Sequence, residues 1–193
     1  MKTVKLFPAI LLCLVCTTFF ASLISCSGYT MPDEKAKEIL REKLPLSKKV
    51  LSAIYGDSLK LREPEKIDKS WTTPHYFEIV DDSDYLTAEE IKKDAEAVFS
   101  PTYLDIIYEY AFEGNDETMS RFGEKEGRLT VDVTKEPYRI LSELDIDSAK
   151  VTKSSRYSVE ISLSGKDSDG NTAIYTVRLA RLGDDWFFSG PTY

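Results

Sequence analysis

Two alternating runs near the C-terminus constrain the fold more than anything else in this chain. Tyr157, Val159, Ile161 and Leu163 are apolar, while Ser158, Glu160, Ser162 and Ser164 between them are polar. A period of two marks a strand with one buried face. After residues 166–171, Lys-Asp-Ser-Asp-Gly-Asn, which form a dense turn signal, the pattern returns with Ala173, Tyr175, Val177 and Leu179. Opposed residues of a hairpin share a face, so the loop length decides whether the two apolar sets meet. A two-residue loop at Asp169-Gly170 sets Ile161 opposite Arg178 and Leu163 opposite Thr176, which buries a charge. A three-residue loop, Ser168-Asp169-Gly170, sets Leu163 opposite Tyr175, Ile161 opposite Val177 and Val159 opposite Leu179. It also places Gly170 at the left-handed position such loops require, and it pairs Glu160 with Arg178 on the outer face. The sequence therefore predicts the second register.

The N-terminus reads as an address. Lys2 and Lys5 form a short positive region, and residues 8–24 are almost wholly apolar or small. That is the architecture of a secretory leader; the run is near the lower limit for a membrane span, so length alone does not separate the two. Leu23-Ile24-Ser25-Cys26 resembles the lipobox of bacterial lipoproteins, in which the cysteine becomes the first mature residue and carries a diacylglyceryl group. The resemblance implies a signal peptide over 1–25, a lipidated tether over 26–32 and a single domain over 33–193, held at the extracytoplasmic face of the cell membrane by the lipid on Cys26. Several acyl carbons on one cysteine anchor far better than a single short chain.

Cys13 and Cys16 would leave with the leader, and Cys26 would be acylated. The mature domain would then hold no disulfide, no thiol nucleophile and no cysteine metal site. Loss of Lys2 and Lys5 takes the formal net charge from -8 to -10. Such an acidic domain is a poor partner for nucleic acid. It suits a cationic partner, or simply solubility.

Along the domain, Pro32-Asp33-Glu34 makes a good first helical turn. Ala36, Ile39, Leu40 and Leu44 follow at helical spacing, and beyond Pro45 the stripe resumes with Val50, Leu51, Ile54 and Tyr55 up to Gly56. The expectation is one bent helix or two consecutive ones, with Lys35, Lys37, Arg41, Lys43, Lys48 and Lys49 on a solvated face. Residues 57–74 are irregular, with a lone Trp71, and 76–80 form a short strand. Thr87-Ala88-Glu89-Glu90 is a capping box opening a helix with Ile91, Ala95, Val98 and Phe99 on one face. Ser100-Pro101 restarts a helix lined by Leu104, Ile107, Tyr108 and Ala111, closed by Gly114. Residues 119–123 and 129–133 read as a hairpin around a turn at Lys125-Glu126-Gly127. The connection 134–145 includes a helical turn over 138–144, and 146–152 is a strand. Helices first and an antiparallel meander last argue an α+β fold, with N-terminal helices packed on a curved antiparallel sheet.

No residue pattern assigns a catalytic site. His75 is the only histidine, which excludes a histidine-rich metal site and leaves it as an edge residue before a strand. Asp81, Asp82 and Asp84 could ligate calcium, but acidic turns are ordinarily just solvated. The turn at 167–171 approaches a calcium-loop pattern, yet its first and twelfth ligand positions fall on Gly165 and Thr176, so it fails the motif. No phosphate-cradling glycine loop is present, and neither metal nor cofactor is implied. In Trp186-Phe187-Phe188 the first and third residues share one face, for the core, and Phe187 takes the other.

The element order, the stretch Ala95-Glu96-Ala97-Val98-Phe99-Ser100-Pro101-Thr102-Tyr103 and the closing Asp185-Trp186-Phe187-Phe188-Ser189-Gly190-Pro191-Thr192-Tyr193 resemble bacterial lipoproteins with an NTF2-like (cystatin-like) cone. The hairpin around Gly127, with Arg128-Leu129-Thr130-Val131, is more faintly similar to the cell-wall DL-endopeptidase inhibitor family. The address, the lack of reactive residues and the fold resemblance together point to a non-enzymatic, lipid-anchored binding or regulatory domain whose partner is an envelope protein or a small ligand. The alternatives are an inhibitor that inserts the acidic loop 81–84 into a cell-wall hydrolase, and a small-molecule enzyme working in a cone pocket, which would need a buried carboxylate with a raised pKa.

Overall fold

The computed structural model describes residues 29–115, 119–135, 143–167 and 170–192. The leader with Cys26, residues 138–142 of the expected helical turn, and Ser168 and Asp169 of the hairpin loop lie outside them. In chain order the elements are helix α1 (Asp33–Tyr55), strand β1 (Tyr76–Glu78), helices α2 (Ala88–Val98) and α3 (Pro101–Tyr108), strands β2 (Phe122–Lys125), β3 (Arg128–Asp132), β4 (Glu143–Leu144), β5 (Lys150–Ser154), β6 (Ser158–Lys166), β7 (Thr172–Leu182) and β8 (Asp185–Phe188). Short 3-10 turns occupy Pro64–Lys66 and Ile146–Ser148.

The fold is α+β, with helices against a strongly curled antiparallel sheet. That sheet runs β4-β6-β7-β8, and β5 pairs with the same strand β6 as β4 does. In β6 and β7 the register is the one the alternation predicts: Val159 faces Leu179, Ile161 faces Val177 and Leu163 faces Tyr175. Gly170 has φ +82°, the left-handed conformation the loop needs. On the outer face Glu160 accepts from Arg178 at 3.4 Å and also pairs with Lys153 at 2.8 Å. The buried face starts at Val159, since Tyr157, expected with it, is 70 % exposed at the turn before β6. A bulge between Val151 and Lys153 bends β5. Gly165 lets β4 close on β6, because a Cβ there would stand 2.6 Å from the Glu143 carbonyl oxygen.

α1 is one continuous helix through Pro45. An internal proline forfeits a backbone hydrogen bond, at about 3 kcal/mol. Pro45 is exposed, so the loss falls on the solvent side. The buried stripe Ala36, Ile39, Leu40, Leu44, Val50, Leu51 and Ile54 runs unbroken past it. Each such aliphatic side chain contributes about 1.5–3 kcal/mol on burial, which offsets the proline. The helix ends at Gly56, which turns extended while its N–H still donates to the Ser52 carbonyl; a Cβ there would lie 2.6 Å from that oxygen. Lys43, expected in solvent, is 6 % exposed. Its ammonium donates to the Ala97 carbonyl (3.2 Å) and to Asp185 (3.1 Å) and lies 4.6 Å over the Phe187 ring, joining α1 to the end of α2 and to β8.

The capping box forms as predicted, Thr87 accepting from the Glu90 N–H and Glu90 from the Thr87 N–H. Helix α3 runs into a π-turn over Glu109–Glu113, closed by Gly114 at φ +70°. Ser100 donates its N–H to the Phe188 carbonyl at 2.8 Å, fixing the helical layer to the last strand. Trp186 and Phe188 enter the core, with Phe187 on the other side under Lys43.

Three expectations need correction. The 119–133 hairpin belongs to a separate three-stranded sheet, β1-β3-β2, not to one continuous meander. Its turn is the pair Glu126-Gly127, with φ +53° and +76°, the two-residue geometry that matches strand twist. The first strand accordingly runs from Phe122 to Lys125, not over 119–123. Residues 146–148 form a 3-10 turn, because the Asp145 carboxylate accepts from the Asp147 N–H at 3.1 Å and pulls the chain out of extension; the strand starts at Lys150. Finally, Glu143 and Leu144 are extended on β6, not helical. Tyr29 and Met31 also lie against the domain: Tyr29 stacks on Trp186 at 6.3 Å, and the buried Met31 donates its N–H to Ser154 Oγ at 2.9 Å.

Candidate functional site

The residues singled out in the sequence do not converge. His75 is half-buried and stacked flat on Trp71, with ring centroids 4.0 Å apart; its Nδ1 is 2.7 Å from the Thr73 carbonyl. The acidic turn is divided between ion pairs, Asp81 with Arg128 and Asp82 with Lys60. Asp167 accepts from the Asn171 N–H at 2.8 Å, so that carboxylate organises the hairpin turn. Among the described residues no cluster of His, Cys, Asp or Glu is arranged to hold a metal ion. Cys26 lies outside the described residues.

The chemistry gathers where sequence patterning had nothing to report, at the junction of the C-terminus of α1, the irregular segment after it and the end of the β2–β3 hairpin. The two-residue turn sets the register Phe122 opposite Val131. One step further out Arg121 faces Asp132, and the Asp132 N–H donates to the Arg121 carbonyl at 2.8 Å. Both side chains are buried, at 5 % and 1 % exposure.

Each is spent mainly on backbone. Arg121 donates from Nη2 to the Gly56 carbonyl at 2.6 Å, satisfying a helix C-terminal acceptor. From Nη1 it donates to the Lys135 carbonyl at 3.3 Å. Asp132 Oδ1 accepts from the His75 N–H (3.1 Å), the Thr134 N–H (3.0 Å) and the Thr134 hydroxyl (2.7 Å). Arg121 Nε–H and Asp132 Oδ2 are sealed from solvent and have no hydrogen-bond partner among the described residues. The two side chains make no ion pair with each other among the described contacts.

Both line one cavity of about 180 Å³. Its other polar walls are Asp57 and Lys135, and its apolar walls are Leu59, Leu61, Ile67, Val131 and Val133. The Lys135 ammonium donates to the Met119 carbonyl and lies 4.8 Å over the Tyr110 ring. Burial pushes the Arg121 guanidinium below its ordinary pKa, against the Tyr110 and Asp132 side chains, which hold it up. Burial likewise lowers Lys135, with Asp132 opposing and Arg121 reinforcing the shift. The cavity is charge-balanced and has an apolar side, and it opens to solvent beside the exposed Asp57.

A second concavity, an open groove of about 580 Å³, lies along the three-stranded sheet between Arg62, Lys66, Glu78 and Lys125. Its charges answer one another, with Lys125 on Glu78 at 2.7 Å and Lys66 on Glu63 at 2.7 Å. They are exposed pairs of little energetic weight, and the groove leaves no buried group in need.

No protein-family model matches this chain, and no curated protein matches it in sequence.

Proposed function

We propose that the chain is a lipid-anchored, extracytoplasmic binding domain without catalytic activity, built on an NTF2-like cone, and that its ligand is a small molecule held in the Arg121–Asp132 cavity. The observation that supports this reading is a cavity of about 180 Å³ whose wall joins two cations, Arg121 and Lys135, and two carboxylates, Asp57 and Asp132, to an aliphatic side. The enzyme alternative has less support. Asp132 spends one oxygen on three structural donors, the posture of a fixed anchor, and the described lining residues include no histidine, cysteine or hydroxyl group to share proton transfer or attack. The inhibitor alternative has less support, since Asp81 and Asp82 of its acidic loop 81–84 form exposed pairs with Arg128 and Lys60.

The anchoring half of the proposal rests on the lipobox-like Leu23-Ile24-Ser25-Cys26. In cell fractionation the wild type should label with palmitate and sediment with membranes, and Cys26→Ala should lose the label; a labelled Cys26→Ala protein refutes it. For the binding half, native mass spectrometry of the gently purified full chain should show a small-molecule adduct. An Ile67→Trp variant, filling the cavity, should lose that adduct while keeping its fold. Retention of the adduct by Ile67→Trp would place binding elsewhere.

A further inference from the structure

We infer that the end of the curled sheet bearing Tyr29, Arg156, Tyr157 and Leu182 rests in the head-group layer of the membrane and sets the domain's orientation there. The inference goes beyond the anchoring half of the proposed function and depends on it. It starts from where the chain joins the domain. Tyr29 stacks on Trp186 at 6.3 Å, and the Met31 N–H donates to Ser154 Oγ at 2.9 Å. The chain is therefore fixed to β8 and to the end of β5 from the third position after Cys26 onward. Three residues reach about 11 Å at full extension, while a domain of this length has a radius of gyration of about 15 Å. A lipid on Cys26 thus holds this end of the sheet near the bilayer, and not the opposite one.

The surface brought there matches an interface. Trp186 stands opposite Arg181, and the Arg181 N–H donates to the Tyr157 carbonyl at 2.8 Å. Tyr29, Trp186, Arg181 and Tyr157 thus form one row from the chain's entry to the β5–β6 turn. Tyr29 is 38 % exposed and Tyr157 70 %, and Leu182, next to Arg181 at the β7–β8 turn, is 44 % exposed. Tyrosine and tryptophan favour the depth of lipid head groups, where the ring meets hydrocarbon and the polar tip meets water. The charges agree. Residues 148–159 contain Lys150, Lys153 and Arg156 and no acid, in a chain of net charge -8. Lys150 and Lys153 answer Asp33 and Glu160, while Asp184 and Asp185 answer Arg181 and Lys43. Arg156 is exposed and takes part in no ion pair among the described residues, which leaves its guanidinium for a lipid phosphate. The far end of the sheet carries Glu143, Asp145 and Asp167. An anionic bilayer repels that end and accepts this one.

The test uses the full chain as purified from membranes, reconstituted in vesicles of phosphatidylethanolamine and phosphatidylglycerol. A thiol-reactive fluorophore is placed at Asp184→Cys, or at Ile174→Cys, which lies roughly 25 Å from Leu182 along β7; both positions are exposed. With nitroxides on the lipid head groups, the Asp184→Cys label should lose most of its emission and the Ile174→Cys label little. Adding Tyr157→Glu and Leu182→Glu, both at exposed positions, should raise the Asp184→Cys emission to the Ile174→Cys level, with circular dichroism and sedimentation with the vesicles unchanged. Persistent quenching in that variant would mean that the short tether alone brings this end near the bilayer, and would overturn the contact surface. Equal quenching of the two labels in the parent chain would overturn the orientation, while sedimentation with the vesicles would leave the anchor intact. An Asp184→Cys label that escapes the lipid nitroxides but self-quenches, and recovers on dilution with excess lipid, would give this end to a second copy of the chain and overturn the inference as well. A chain without palmitate on Cys26 that stays off the vesicles would remove the anchoring reading itself, and this inference with it.

Discussion

The β6–β7 hairpin and the β2–β3 hairpin are both antiparallel, both partly buried and both turned by a glycine with positive φ, yet they solve burial in opposite ways. Along β6–β7 the ladder satisfies the backbone from Ser158 opposite Ala180 to Lys166 opposite Thr172. The inward side chains Val159, Ile161, Leu163, Val177 and Leu179 have only to be apolar. The β2–β3 hairpin ends against irregular chain, at the last turn of α1 and the loops around residues 56–61 and 133–135. Carbonyls and N–H groups there have no ladder, and Arg121 and Asp132 serve them instead. Regular structure consumes its own polar groups and leaves an inert interior. Irregular structure needs charged side chains to do the same work. The cavity that those charged residues line is what makes the second region a candidate for binding.

Removing Asp132 should test the contrast most severely. Asp132→Ala strips the His75 N–H and both Thr134 donors of their acceptor and removes the stronger of the two carboxylate charges acting on Arg121, leaving Asp57. A loss of about 3–5 kcal/mol is expected from comparable buried charges, read as a shift in urea midpoint. A loss below about 1 kcal/mol would mean that water already serves these donors, and that the region is less dry than its burial implies. In the other hairpin the matching change is Ile161→Ala, at a fully buried aliphatic site. It should cost about 2–5 kcal/mol through lost transfer and the cavity left behind. The two variants can cost similar amounts but should differ in character. A ligand should recover stability in the wild type and Ile161→Ala, and none in Asp132→Ala, since mass action stabilises only a state that binds.

A smaller effect is expected at Gly165, the one place where the long hairpin is served from outside. Gly165→Ala brings a Cβ onto the Glu143 carbonyl oxygen, with Leu144 and Tyr175 side chains 3.0 Å away. Displacing β4 should cost about 1–3 kcal/mol by overpacking, with faster amide exchange confined to residues 143–145 and 164–166. Alanine at Gly170 meets no atom within 4 Å but inherits φ +82°, so its penalty is local strain and should leave β4 protected.

These contrasts also explain what could be read in advance. The register of the long hairpin was legible, because alternation, loop length and Gly170 are local signals that agree, whereas the exposure of Tyr157 was not. Legible too were the Thr87 capping box and the stripe along α1, whose continuity past Pro45 depended on the proline's exposure, a fact of packing. The curl was not legible, since it comes from β4 and β5 sharing β6 and from a bulge without a marker residue. For the cavity a signal existed and was weak. Taking Glu126-Gly127 as a two-residue turn sets Arg121 opposite Asp132, whereas a three-residue turn sets Arg121 opposite Val131. The burial of both charges was hidden, because it depends on chain 65 and 57 residues away, at Gly56 and His75. Lys43 was misplaced for the same reason, its partners Ala97 and Asp185 being distant in sequence.

The mildest expected effect concerns charges on the outside of the long hairpin, where the comparison predicts that they hardly matter. Glu160 lies between Lys153 at 2.8 Å and Arg178 at 3.4 Å. The hydrogen bond from Lys153 does most to hold its carboxyl below the usual range, against the opposing effect of burial, with Arg178 assisting. A carboxylate whose folded pKa is depressed adds stability above its unfolded pKa and loses it as pH falls through the folded value. Glu160→Gln should therefore lower the melting temperature slightly near pH 7, and the difference from wild type should vanish in the acid range below the ordinary glutamate value. High salt should shrink the difference as well, because exposed pairs are screened. The buried network should behave otherwise: the cost of Asp132→Ala should persist in 1 M salt. If salt erased both effects equally, Arg121 and Asp132 would be as wet as Glu160, and the distinction between the two hairpins would fail.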